Sequence, residues 1–114
     1  MLSSLELKVV AQILSEEASQ YPELERQMAT LVVQSREYTG TGVFINFRQP
    51  DPNARCGSCP DSMRLGQEVA AHLGSNKIMA GFVLYVESGE ITTLEGFTYG
   101  EAWPEDADDE FEIR

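Results

Sequence analysis

A chain of 114 residues with 42% hydrophobic content can close one modest core and is too apolar to be disordered throughout. Its 19 acidic against 8 basic residues leave a net charge of -11, which repels phosphate and so argues against direct nucleic-acid binding and against anionic membrane surfaces. The sign favours a basic protein partner, and acidity is equally the ordinary means to solubility.

Ser3-x-x-Glu6 has the form of a capping box, with Leu2 and Leu7 at the positions of a hydrophobic staple. Leu5, Val9, Val10, Ile13 and Leu14 then make an apolar stripe at helical spacing, which predicts an amphipathic helix from about Ser4 to Ser19 packed on a sheet. Glu6 and Lys8 interrupt this opening segment. It therefore reads as neither a signal peptide nor a membrane span, and a bacterial-type cytoplasm is the expected location.

Pro22 suits the first turn of a second short helix, PELERQM. From Ala29 the period changes. Leu31, Val32 and Val33, then a loop holding Gly40 and Gly42, then Val43 to Phe47 read as a β-hairpin. Those glycines lack the spacing and the lysine of a phosphate cradle, so they are turn chemistry. Arg48 to Ser62 is a loop on composition, and Leu65 to Leu73 fits a helix or a strand, with strand favoured as the link to the next hairpin.

Ile78 to Tyr99 is a second hairpin around the turn pair Ser88-Gly89. Counting out from that turn pairs Val86 with Ile91, Leu84 with Thr93, Phe82 with Glu95 and Gly81 with Gly96. One face then carries Ala80, Phe82, Leu84, Val86, Ile91 and Phe97, and the other Met79, Val83, Tyr85 and Leu94. Glu95 falls on the more apolar face, where it needs a partner, a bend toward solvent or a raised pKa. The paired glycines leave a floor on which a ring can lie, and Trp103 is the candidate ring.

Cys56-Gly-Ser-Cys59 is the most specific local pattern. Such a pair closes a redox disulfide, gives two thiolates to zinc, or stands as a plain loop. A redox site expects a helix N-terminus after a strand, whereas this pair lies among prolines. A zinc site expects four ligands, and the chain offers only His72 besides, so a homodimer using the pair twice is the most economical metal arrangement. The serines lack a nucleophile elbow, and Asp106-x-Asp108-Asp109 lacks the glycine and distal ligand of a calcium loop.

The phrases TGTGVFINF and AGFVLYVESGEITTLEGFTYGEAWPED resemble a group of small bacterial α+β proteins with a GxGxFxxF strand and a C-terminal LEGxTYxxxWP motif. The likeness covers Gly40 to Phe47, Gly81 to Val86, Leu94 to Tyr99 and Trp103-Pro104. It implies structural motifs without an assigned activity, and carriage on mobile elements such as integron gene cassettes or beside toxin genes. The CGSCP loop lies outside the pattern.

These readings together predict an α+β domain over residues 1–104, with the N-terminal helix on one antiparallel sheet of four to five strands built from two hairpins. Residues 105–114 read as a frayed acidic tail in which Phe111 and Ile113 are able to tuck back. An apolar sheet face left open suggests a homodimer. The leading functional expectation is a non-enzymatic interaction protein, immunity-like or accessory, whose acidic surface meets a basic partner. The second is a ligand or metal site, either a pocket near Glu95, Tyr99, Trp103 and Tyr85 or the Cys56 and Cys59 pair with His72.

Overall fold

The computed structural model describes residues Met1–Arg114. Two helices, α1 (Ser4–Glu17) and α2 (Pro22–Gln27), precede β1 (Val32–Tyr38), β2 (Gly42–Arg48), β3 (Ser62–Leu65), β4 (Ala70–Leu73), β5 (Ile78–Glu87), β6 (Glu90–Thr98) and β7 (Phe111–Ile113). All pairings are antiparallel, in the order β1-β2-β6-β5-β4-β7, with β3 on the same side of β5 as β4. No helix is long and apolar enough to cross a membrane.

Helix α1 begins as its sequence dictates. Ser3 Oγ accepts from the Glu6 amide at 3.1 Å and Glu6 Oε1 accepts from the Ser3 amide at 2.8 Å, which satisfies two donors that a helix end leaves orphaned. Leu5, Val9, Val10, Ile13 and Leu14 are buried against the sheet. The staple does not form, because Leu7 points outward and is 41% exposed while Leu2 is buried. Glu6, itself only 5% exposed, also accepts from Arg36 Nε and Nη2 of β1 at 2.7 and 2.8 Å, tying the helix to the sheet margin.

The central hairpin keeps its predicted turn and loses its predicted far register. Ser88 (φ 51°) and Gly89 (φ 78°) form the two-residue turn, with Glu87 opposite Glu90 and Val86 opposite Ile91. Thr92 is then an extra residue on β6, since Tyr85 pairs with Thr93, and its hydroxyl donates to the Tyr85 carbonyl at 3.2 Å. One inserted residue exchanges the faces of everything beyond it. Leu94 moves to the helix-covered core at 1% exposure, and Glu95 and Phe97 move to the opposite face.

The sheet has seven strands rather than four or five. The Leu65 to Leu73 region contributes to two short ones, β3 and β4, with Gly66 (φ +114°) between them. The other addition is the tail: Phe111–Ile113 pairs with β4, so residues 105–114 are not frayed. Ala107, 1% exposed, anchors them to the core, and Lys8 of α1 lies 5.5 Å from the Phe111 ring centroid. Strand β1 is the opposite edge, and Gln34 bulges from it between Val33, paired with Phe47, and Ser35, paired with Asn46.

Candidate functional site

The two sheet faces separate the residues that the sequence groups as one pocket. On the helix-free face stand Phe44, Val83, Tyr85, Glu95 and Phe97, all half-buried. Tyr85 Oη donates to Glu95 Oε1 at 2.8 Å, and this hydrogen bond, helped by desolvation, raises the Tyr85 pKa above its ordinary 10.0. Glu95 thus has the partner that it needs. Tyr99 extends the same face, edge-on to Phe97 at 5.7 Å between centroids and 68% exposed. Beside Tyr85 a shallow depression of about 300 Å³ is bordered by Glu37, Phe44, Asn46 and Glu87.

Trp103 is not there. Its ring lies on the core side over Gly96, where an added Cβ would stand 2.6 Å from Cη2, and edge-on to Phe82 at 6.5 Å between centroids. The glycine floor exists, but Gly96 faces Phe82 in the ladder and carries Trp103, while Gly81 faces Phe97 and lies beneath that ring. The Trp103 amide donates to the Gly40 carbonyl at 2.9 Å, fixing the ring at the β1–β2 end of the sheet.

Cys56 and Cys59 are joined as a disulfide, with Cα atoms 5.5 Å apart. Cys56 is 2% exposed and Cys59 half-buried. The loop serves the hairpin tip: the Cys56 amide donates to the Gly89 carbonyl at 2.9 Å and Arg55 Nε to the Ser88 carbonyl at 2.7 Å. His72 pairs with Met79 at the other end of β5, about 26 Å from Glu87 at the rise of a strand, so it cannot join the cysteines in one chain. Its Nε2 lies 3.5 Å from Arg114 Nη1. No three His, Cys, Asp or Glu side chains group to hold a metal ion.

The acidic C-terminal segment, which reads in sequence as a frayed tail, is built into the domain. Asp106 Oδ2 accepts from the Ser75 amide at 3.0 Å, and that bond, the largest influence on it, holds the carboxyl below its ordinary 3.8. The Gly74 amide donates to the Glu110 carbonyl at 2.7 Å, and Ser3 Oγ donates to Asp108 Oδ1 at 2.7 Å. The exposed carboxylates Glu101, Glu105, Asp109 and Glu110 therefore stand on a fixed backbone. Next to them a cavity of about 280 Å³ is lined by Tyr38, Trp103, Pro104, Glu105 and Asp108. Neither Tyr38 nor the two acids stand out in the sequence. Tyr38 is marked only as the aromatic end of an edge strand, and the acids are hidden among like neighbours.

No protein-family model matches the chain, and no curated protein or solved structure is significantly similar to it.

Proposed function

We propose that this protein is a non-enzymatic interaction factor of the bacterial cytoplasm, immunity-like or accessory, that holds a basic protein partner on its acidic C-terminal surface. One observation carries the reading: the carboxylates from Glu101 to Glu110 are displayed on backbone pinned by Asp106, Ala107 and strand β7, rather than on a loose tail. A flexible acidic tail attracts any cation weakly. Fixed charges lose less entropy on docking and can match a defined pattern of bases.

The helix-free face supports a second element, a homodimer. Its centre of Phe44, Val83, Tyr85 and Phe97 is only half-buried, with Arg64 over the Tyr85 ring and Tyr99 edge-on to Phe97, and Glu37, Glu87, Glu95 and Glu112 share that face with Arg48, Arg64 and Arg114. Mixed signs around an apolar centre suit self-association better than the rest of this acidic surface does.

The test of partner binding is co-expression with the products of neighbouring genes, followed by titration of any basic protein that co-purifies. Asp109→Asn with Glu110→Gln is expected to weaken that complex at least tenfold. Glu16→Gln with Glu25→Gln, the same charge change on exposed helix positions, is expected to leave it unchanged. Equal weakening by both pairs would mean unspecific attraction and overturn the proposal.

A further inference from the structure

The geometry points to the cavity between Tyr38 and Trp103 as a receptor for one organic cation, the ammonium or guanidinium head of a lysine or arginine side chain projecting from a basic protein. The lining has the right chemistry. Two aromatic rings, one proline and two carboxylates surround about 280 Å³, and no basic side chain borders it. Aromatic faces attract a cation through their quadrupole, most strongly when it carries weakly hydrated alkyl groups, and adjacent carboxylates add direct Coulomb attraction. The volume accommodates a head group and lies at the low end for small-molecule pockets.

Two of its walls are held in shape before anything binds. Trp103 is fixed through the Gly40 carbonyl, the Gly96 floor and Phe82, and Asp108 through Ser3 Oγ. The cavity closes inward against Leu5, Val43 and Phe82, where only about 10 Å³ remains. Arg36, whose charge also acts on Tyr38 and Asp108, is engaged by both oxygens of Glu6. Tyr38, on an edge strand, is 63% exposed and so presents most of its surface to solvent. With Trp103 and Asp108 already fixed, only Tyr38 and Glu105 lose freedom on binding, so even an isolated head group is expected to bind on the order of millimolar.

Trp103 is the one tryptophan of the chain, so its indole N–H gives a single resonance that reports on this cavity alone. Titration with tetramethylammonium chloride is expected to move that resonance saturably, and sodium chloride at equal ionic strength to leave it in place. Nα-acetyl-lysine amide, the side-chain probe, is expected to compete. Tyr38→Ser and Glu105→Gln, both at exposed positions, are each expected to weaken binding at least fivefold with an unchanged circular dichroism spectrum. No saturable shift, an equal shift with sodium, or undiminished binding by both variants would overturn the cage.

The choice of a protein side chain as occupant rests on the proposed basic partner, but the titration does not. Absence of tetramethylammonium binding, with partner binding still lost in the Asp109→Asn, Glu110→Gln protein, would remove the cage and leave the acidic surface standing. Saturable tetramethylammonium binding without competition by the lysine amide would assign the cavity to a free quaternary ammonium compound and overturn the side-chain occupant.

Discussion

The Gln27 side-chain amide spans the tip of the central hairpin, with Nε2 donating to the Gly89 carbonyl at 2.7 Å and Oε1 accepting from the Ile91 amide at 3.0 Å. Gln27 is wholly buried, so Gln27→Ala strips a partner from a buried amide and leaves a void. The expected loss is about 3 kcal/mol, read as a lower urea midpoint. A loss below about 1 kcal/mol would mean that water replaces the amide.

Gly96→Ala drives a methyl into the Trp103 ring, which Phe82 and the Gly40 carbonyl hold in place. Overpacking of this kind costs about 1–3 kcal/mol. Trp103 emission is expected to shift to the red as the ring is displaced toward solvent. Wild-type stability and emission together would show that the ring has room to move.

Tyr85 is expected to titrate above the ordinary phenol value, because ionising it breaks a bond to a carboxylate. A pKa raised on folding gives stability that is complete below the unfolded value near 10 and is lost as pH climbs through the folded one. Absorbance titration at alkaline pH should therefore show one delayed phenol. Glu95→Gln should remove that delay.

Asp106 has the opposite sign. Its pKa is depressed, so the stability that it contributes is present above the ordinary value of 3.8 and is lost as pH falls through the folded value. Asp106→Asn should lower stability at pH 7 and flatten the acid limb of the stability profile. An unchanged acid limb would assign the turn between β4 and β5 to other contacts.

Native mass spectrometry of protein purified without reductant is expected to give a dimer and, after denaturation, an intact disulfide. Val83→Lys, placed in the middle of the helix-free face, should yield a folded monomer. Reduction should cost only about 2 kcal/mol, because the loop closed between Cys56 and Cys59 is short. A dimer that survives Val83→Lys would move the contact to another surface.

What the residues reveal in advance follows the range of the interactions. The capping box, the α1 stripe and the Ser88-Gly89 turn depend on neighbours a few positions away, and all three stand as read. The Thr92 bulge has no local signature, and it alone moved Glu95 off the apolar face and across the sheet from Trp103. The tail misleads for a related reason. Its charge outweighs Phe111 and Ile113, which the sequence marks only as able to tuck back, and their strand exists because β4 offers an edge some forty residues earlier in the chain.

The Gln34 bulge on β1 bears on how this protein behaves when concentrated. An antiparallel sheet ending in a regular edge invites a neighbour to add its own strand, and successive additions grow a fibre. Deleting Gln34 would make the pairings of Val33 with Phe47 and Ser35 with Asn46 consecutive and straighten that border. The shortened chain should fold to the same architecture and then gel or deposit on standing, while the parent stays in solution.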